Sequence, residues 1–507
     1  MGPLVAVDKA QCRIGGQALL TVEHFAIERG QHWCVFGRNG SGKTLLANLI
    51  AAKRRESSSY VSYATNFDPT LDLYTVSFEE QQRLWARDNR LDISEYSSNA
   101  QDKGTVVEEL IRASRARQIQ DDSLFARLIE QLALKGVLGK GIRFLSSGQM
   151  RKVLIARALY AYREGAVRLL ILDDPLESID RVSQEQIRNT IGASMDEGFS
   201  SLQLCRRSQD ILPGVSHMAL MRQDASGMGI VRQGSLDEVM GSAEYAQIES
   251  ARAQVPETLS TRLPMDAGAR DDEELIRLEN VTASYGDITV LTDVNWLMTS
   301  RDHVVIEGPN GCGKSTLLSL IDGENHKGYG QEVFLFSRLK GSGETIWETK
   351  KHFGVVSNEL HNKYVKGWRV LDVVVSGFFD SVGLYDETGT AQIEEARAWV
   401  EALGLQPLEK NYYHEISFGQ QRLILLARAM VKKPRILILD EPCVGLDDYH
   451  RQLILAMLDA IAQRGQTNIL YVTHVPDEQP HCINQVLRFS KHSAGGYTVE
   501  QLPQGAA

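Results

Sequence analysis

Long hydrophobic runs are missing from this 507-residue chain. The most apolar stretch near a candidate span, Val370 to Phe379, is about ten residues long and contains Asp372, whereas a bilayer span needs ~20. No transmembrane segment is therefore expected. Cysteine is scarce and scattered: the six stand singly at 12, 34, 205, 312, 443 and 482. No CxxC pair occurs, which excludes zinc ribbons and iron–sulfur frameworks and suits a reducing compartment. Positive charge is not in excess either, with 55 Lys and Arg against 65 Asp and Glu for a net −10. A chain whose main task is coating nucleic acid would be basic, so nucleic acid is not expected as a partner. The start shows no basic stretch followed by an apolar run, and Ala6 stands where a myristoylation signal wants Ser or Thr, so no leader or lipid anchor is read. What remains is an ordinary globular mixture, 43% hydrophobic and 24% charged, long enough for several domains and ample cores.

The chain repeats itself once. Gly37-Arg38-Asn39-Gly40-Ser41-Gly42-Lys43-Thr44 recurs as Gly308-Pro309-Asn310-Gly311-Cys312-Gly313-Lys314-Ser315, an offset of 271. Leu145-Ser146-Ser147-Gly148-Gln149 recurs as Ile416-Ser417-Phe418-Gly419-Gln420, again at 271. Leu169 to Pro175 recurs as Ile436 to Pro442 at 267. Three motifs in one order at nearly one offset mark a duplication. The stretch between the copies carries Pro256, Pro264 and the run Asp271-Asp272-Glu273-Glu274, and reads as a solvated acidic linker. The expected division is a first domain over 1–245, a linker over 246–274 and a second domain over 275–507. Short apolar runs alternate with helical patterns in each copy, which predicts α/β domains with a largely parallel sheet flanked by helices. His32 to Phe36 and Val304 to Glu307 are predicted strands, and helices are expected over Thr44 to Ala52 and Thr316 to Ile321.

Each motif has a chemistry. In the pattern G-x-x-x-x-G-K-[ST], glycines let backbone amides turn inward around phosphate oxygens, and the following helix points its positive end at them. Lys43 and Lys314 would reach the outer phosphates, and Thr44 and Ser315 would ligate Mg²⁺. The remaining cradle positions are Gly37, Asn39, Gly40, Ser41 and Gly42 in the first copy. In the second they are Gly308, Pro309, Asn310, Gly311, Cys312, Gly313 and Thr316. An apolar strand ending in Asp173 or Asp440 presents a carboxylate for the water shell of the metal. The next residue stands where an attacking water is polarised. It is Glu441 in the second copy and Asp174, one methylene shorter, in the first. Taken alone, Ser-x-Gly-Gln is a helix cap; lying between the other two motifs in both copies, it adds a second phosphate grip.

Together these strings resemble the ATP-binding cassettes of the ABC superfamily, over nearly the whole chain. The resemblance implies two P-loop NTPase domains in tandem, each with a helical signature subdomain, ATP hydrolysis with Mg²⁺, and cassettes paired head to tail. One site would then unite the first phosphate loop with Ser417, Gly419 and Gln420, and the other would unite the second loop with Ser146, Gly148 and Gln149. The D-loop positions match Asp180 and Asp447, the switch histidine matches His474, and the adenine-stacking aromatic matches Tyr285. Asn358 stands where the family has its Q-loop glutamine, near the metal. The first copy departs repeatedly: Ile14 replaces the aromatic, Arg206 the switch histidine and Asp174 the glutamate, while its Q-loop position falls nearest Phe78 or Glu79. These departures gather at one site, which predicts a second site that hydrolyses and a first that retains ATP.

Gly341 to Trp347, Lys350 to Gly354 and Ser376 to Tyr385 are similar to the ModF-type twin-cassette members linked to molybdate transport. That resemblance implies an energising partner of a membrane permease for an oxyanion such as molybdate, placed in the cytoplasm or peripherally at the inner membrane face. A non-transport ATPase acting on a cytosolic machine, and an ATP-dependent lock, are the competing readings. The short acidic connector counts against the former, and Glu441 with His474 against the latter.

Overall fold

A computed structural model describes the chain apart from residues 1, 15–17, 55–56, 91–103, 178, 196–197, 225–226, 251–253, 263–271, 286–287, 310, 324, 365–366, 385–386, 465–466, 474–477 and 504–507. It divides into two compact units, Met1–Ala251 and Arg252–Ala507. In the first, nine strands form one sheet: β1 (Val5–Ile14), β2 (Ala18–Ile27), β3 (His32–Phe36), β4 (Val61–Tyr63), β5 (Leu73–Val76), β6 (Arg168–Asp173), β7 (Phe199–Cys205), β8 (His217–Asp224) and β9 (Gly227–Ser235). Their order is β4-β1-β2-β9-β8-β3-β7-β6-β5. The second unit has β10 (Glu274–Tyr285), β11 (Ile288–Thr299), β12 (Val304–Glu307), β13 (Glu332–Leu335), β14 (Arg338–Leu339), β15 (Phe353–Ser357), β16 (Ile436–Asp440), β17 (Asn468–Val472), β18 (Gln485–Lys491) and β19 (Tyr497–Pro503). Its order, β14-β13-β10-β11-β19-β18-β12-β17-β16-β15, repeats the first sheet with one strand added at the edge. The duplication seen in the motifs therefore extends to the topology.

Composition explains where parallel pairing falls. Every residue of His32–Phe36 and of Asn468–Val472 is buried, as expected of a strand covered on both faces. These strands sit in the parallel half, where β3 pairs with β7 and β8, β7 with β6, and β6 with β5. The second unit repeats this through β12, β15, β16, β17 and β18. The outer half is antiparallel, through β1 with β2 and β4 and through β10 with β11 and β13. The sheets are thus mixed, parallel where the phosphate loops are.

Below each parallel half lies a helical layer. Helices Val107–Arg112, Asp122–Gln131 and Ser147–Tyr160 contribute Val107, Leu128, Ile155 and Tyr160 to one core. Their counterparts Val370–Val375, Thr390–Ala402 and Phe418–Met430 contribute Val373, Trp399, Ile424 and Leu425 to another. The segment 246–274 is not a free linker throughout. Helix Ala243–Ser250 anchors Tyr245 in the first unit's core, and helix Glu257–Arg262 buries Leu259 completely in the second unit's core. Thr258 Oγ1 also donates to the Ala402 carbonyl at 2.9 Å. The acidic run lay beyond these anchors and masked them in the sequence. Among the described residues, no helix is long and apolar enough to cross a membrane.

Candidate active sites

The parallel strands deliver their carboxyl ends to one edge, the usual place for a ligand in an open α/β sheet. β3 runs into the loop at Gly37 and then helix Lys43–Ile50; β12 runs into the loop at Gly308 and then helix Lys314–Asp322. Both helices begin at the lysine itself, one residue before the expected start in the first unit and two before it in the second. Gly42 and Gly313 take φ of 95° and 103°, a region that favours glycine. A Cβ on Gly37 would stand 2.4 Å from the Met221 carbonyl oxygen, and one on Gly308 2.8 Å from both Cys312 Sγ and Phe489 Cβ. Lys43 Nζ donates to the Gly37 and Arg38 carbonyls at 2.6 and 2.9 Å. Lys314 Nζ does the same to Gly308 and Pro309 at 2.8 and 3.1 Å. Thr44 and Ser315 are exposed in the first helical turn, and Thr316 follows half-buried. Ser41 Oγ is buried with no hydrogen-bond partner, a donor left over at the cradle. Asn39 and Gly40 complete the first loop, and Gly311 and Cys312 the second; Asn310 lies outside the described residues.

Beside each loop, β6 and β16 end in Asp173 and Asp440. The following residues, Asp174 and Glu441, take φ of 44° and 49°. A non-glycine residue costs about 1–2 kcal/mol there, and the same strain at the same place in both units marks a position held for chemistry. Their amides still bond across the sheet, Asp174 N to the Leu204 carbonyl and Glu441 N to that of Val472, at 3.3 and 3.1 Å. Burial pushes the Asp440 carboxyl up to about 6, with Glu441 adding to the rise and Lys314 opposing it. In the first unit burial and the Asp174 charge push Asp173 up to about 7, against Arg206 and Lys43.

Arg206 separates the two sites. Phe36 pairs with Cys205 on β7, so the next residue, Arg206, comes off the sheet beside the loop. Its Nε lies 3.0 Å from Asp174 Oδ2 and its Nη2 2.7 Å from Glu177 Oε2. Burial works to lower the guanidinium's pKa, but Asp174, Glu177 and Asp173 outweigh it and hold Arg206 well above its ordinary value. His474, the corresponding position of the second unit, lies outside the described residues.

The other predicted residues occupy helix starts and strand ends. Ser146 caps helix Ser147–Tyr160 and Ser417 caps helix Phe418–Met430, each in a reciprocal capping box with Gln149 or Gln420. Ser146→Ala and Ser417→Ala are therefore each expected to cost about 1 kcal/mol of stability, measurable by urea unfolding. Gly148 is open, whereas Gly419 lies under the His450 ring, where a Cβ would stand 2.3 Å from Cδ2. Asp180 and Asp447 cap the helices Arg181–Ser194 and Asp448–Gln463, and Asp447 Oδ1 lies 2.8 Å from His450 Nδ1. Tyr285 ends β10 with 45% of its surface exposed, its hydroxyl accepting from Asn325 Nδ2 at 2.7 Å. Ile14 ends β1, the corresponding strand. Ser357 pairs with Asp440, which sets Asn358 beside the metal position, but its Oδ1 accepts from Arg422 Nη2. In the first unit Val76 pairs with Leu172, so Ser77 stands opposite Asp173 and Phe78 is the counterpart of Asn358. Glu79 is one residue too far.

The sequence profile of the ABC transporter family matches residues 20–177 and 291–444. The chain belongs to the ABC transporter family. It is similar to the ABC transporter ATP-binding protein ModF of Escherichia coli strain K12, at 33% identity over 94% of this chain and 95% of that protein. An uncharacterised ABC transporter ATP-binding protein of Schizosaccharomyces pombe is 25% identical over 91% and 92% of the two chains. Among solved structures, the archaeal ribosome recycling factor aABCE1 in complex with the stalk protein aP1 covers 98% of this chain and 90% of its own. The TM-score is 0.59 at 14% identity, which shows a common fold.

This twin-cassette ABC ATPase binds and hydrolyses ATP, and its loops fit phosphate. Gly37, Gly308 and Gly313 leave no room for side chains, and the Ser41 hydroxyl is unspent. For Mg²⁺ the donors at hand are a hydroxyl and a carboxylate, Ser315 with Asp440 and Thr44 with Asp173, hard oxygen ligands that suit it. Among the described residues no group of three or more His, Cys, Asp or Glu could hold a metal ion, so phosphate oxygens would supply further ligands. Sequence reasoning missed three residues. Arg151 and Arg422 repeat at the offset of 271, a signal that was readable. Arg151 Nη1 donates to the Asp173 and Asp174 carbonyls at 3.4 and 2.8 Å, while Arg422 turns to Ser357 and Asn358. Glu177, replaced by Val444 in the second copy, had no repeat to betray it.

Proposed function

We propose that this ABC ATPase turns over ATP chiefly in its second unit and retains nucleotide in its first, and that it works with a membrane permease for an oxyanion such as molybdate. The observation that carries the inequality is the ion pair of Arg206 with Asp174: a carboxylate committed to a guanidinium is a poor acceptor for a proton of water. In the second unit the amides of the 308–314 loop and Lys314 hold the phosphates, with Ser315 Oγ, Asp440 and Asn358 on the metal side and Tyr285 against the adenine. Mg²⁺ bound there would offset phosphate charge and fix the direction of the terminal phosphate. Glu441 accepts the proton of the attacking water, and His474 holds the switch position of the sequence pattern. In the first unit Lys43, Thr44 and Asp173 hold nucleotide without an available base.

The permease reading draws on the Gly341–Trp347 and Ser376–Tyr385 strings and on the likeness to ModF. Its test is molybdenum accumulation in cells lacking this chain, complemented by the natural protein or by Glu441→Gln. Restoration by the natural protein alone is expected; equal accumulation in all three removes the reading. One observation favours a non-transport ATPase instead. Neither unit has a glutamine at the Q-loop position, and Asn358 is tied to Arg422, which leaves less to signal to a permease. ATP-dependent co-sedimentation with ribosomes, without any effect on molybdenum uptake, would establish that second reading.

A further inference from the structure

The second sheet differs from the first by one edge strand, and that strand leads into the nucleotide site. β14 returns against β13, with Phe334 paired to Leu339 and Leu335 to Arg338. The turn between them holds Phe336 and Ser337 at φ of 53° and 62°, a region that non-glycine residues seldom enter. Just past this hairpin the Lys340 amide donates to the Val333 carbonyl at 2.8 Å, and Lys340 is only 6% exposed. An ammonium is costly to bury unless its donors are met. Here Nζ meets the Leu320 carbonyl at 2.8 Å, one of the orphan acceptors at the end of the helix Lys314–Asp322. It also meets the Asn325 carbonyl at 3.4 Å. Asn325 is buried in turn. Its amide donates to the Ser319 carbonyl at 2.9 Å, and its Oδ1 accepts from the Lys327 amide at 3.0 Å. Its Nδ2 donates to Ser319 Oγ at 3.2 Å and to the Tyr285 hydroxyl at 2.7 Å. Gln331 ties the same loop to β10, its Nε2 donating to the Thr282 and Lys327 carbonyls at 2.8 and 2.5 Å. Lys327 Nζ lies over the Tyr285 ring, 5.2 Å from the centroid. A chain of contacts thus runs from the edge hairpin to the hydroxyl of Tyr285. At the offset of 271 the first unit has Ile14 for Tyr285 and Arg54 for Asn325, and among its described residues no strand lies beyond β4.

We propose that Lys340 and Asn325 are positioning residues of the second unit: acting through the Tyr285 hydroxyl, they fix its ring in the pose that stacks on the nucleotide base, so that the edge hairpin sets nucleotide affinity and leaves the chemical step alone. This rests on the reading that Tyr285 lies against adenine. A half-exposed tyrosine with a free hydroxyl would have to be ordered when the base arrives, and immobilising such a side chain weakens binding. Tethering the ring beforehand removes that loss. Stacking on a ring is tolerant of the base, so the tether acts on affinity for the base as such, whatever its identity.

The test is steady-state ATP hydrolysis by the full chain in excess Mg²⁺, with inorganic tripolyphosphate as a competing ligand that has phosphates and no base. Asn325→Ala, Lys340→Met and Tyr285→Phe should each raise KM for ATP about threefold to tenfold, with kcat within about twofold, the signature of lost uniform binding. Tyr285→Ala, which removes the ring itself, should raise KM about tenfold or more. In all four the inhibition constant of tripolyphosphate should stay within about twofold of that of the natural chain. Asn325→Ala added to Tyr285→Phe should change KM by less than about twofold, because the contact is already gone. Tyr285→Phe removes one oxygen from a half-exposed ring, so it carries the test even if Lys340→Met or Asn325→Ala fails to fold. Tripolyphosphate affinity falling in step with ATP affinity in Asn325→Ala and Lys340→Met would overturn the proposal, because these residues would then only support the phosphate-loop helix. An unchanged KM in Tyr285→Phe and Asn325→Ala beside a raised one in Tyr285→Ala would overturn it while leaving the adenine reading in place. An unchanged KM in Tyr285→Ala would remove the adenine reading and the proposal with it.

Discussion

Glu441→Gln is expected to lower steady-state ATP hydrolysis by the full chain about 100-fold or more, and Asp174→Asn to change it by less than about twofold. Both residues follow the same strand, and both are held at positive φ with their amides bonded across the sheet. Their backbones are therefore equally placed, and only their surroundings differ. Asp174 has a methylene fewer and an arginine 3.0 Å away, so neutralising it removes an ion pair and not a base. Glu441 sits beside Asp440, whose own carboxyl is pushed up by burial and by Glu441, in a site that favours taking up a positive charge or a proton. Gln keeps the shape and hydrogen-bonding reach of Glu but cannot accept the proton, so a loss in kcat with nucleotide binding retained is the expected signature. The measurement is phosphate release at saturating ATP and Mg²⁺, with thermal unfolding of each variant as a folding control. Equal losses in the two variants would overturn the inequality of the units.

Much of this arrangement could be read from the residues because its physical causes are local. Glycines at 37, 40 and 42 followed by Lys43 specify an inward-turned loop whatever surrounds it. Four aliphatics ending in an acid specify a buried strand with a carboxylate at its edge. What could not be read depends on pairing between distant segments. Identifying Phe78 as the counterpart of Asn358 required the register of β5 on β6, because the first copy offers no polar residue at that point. The partnership of Arg206 with Glu177 required knowing that β6 and β7 are neighbours; in the sequence these residues stand 29 apart. The antiparallel wing was missed since β1 and β10 lack the continuous apolar runs of the buried parallel strands, and β10 carries several register shifts against β11. The acidic segment misled for a related reason. Its charge is real, yet the single side chain Leu259 anchors the helix before it.

Gly377→Ala is expected to cost the second unit about 3 kcal/mol or more, a large fraction of a typical domain stability of ~5–15 kcal/mol. An added Cβ would stand 2.1 Å from the carbonyl oxygen of Arg428, 2.9 Å from Val431 Cγ1 and 3.0 Å from the Arg428 carbonyl carbon. The obstacle is thus mainly backbone, in the last turn of the helix Phe418–Met430 whose start is capped by Ser417. Neither side can give way cheaply. Ser376 Oγ donates to the Val373 carbonyl, and Arg428 Nε donates to the Tyr364 hydroxyl at 2.8 Å. Arg428 Nη2 donates to the Ser381 carbonyl at 3.0 Å. This buried polar network clamps the turn Ser376–Phe378 onto the helix, and opening it by an ångström leaves a guanidinium without its acceptors. Urea unfolding followed by hydrogen exchange should show the loss confined to peptides of the second unit. Gly136→Ala, in an exposed turn of the first unit with nothing within 4 Å of a Cβ, should stay within about 0.5 kcal/mol of the natural chain. Adding Val431→Ala to Gly377→Ala should not restore stability, since it clears only the methyl group and leaves the carbonyl in place. Recovery in that double variant would show that side-chain crowding, not the close backbone approach, sets the position of the signature helix.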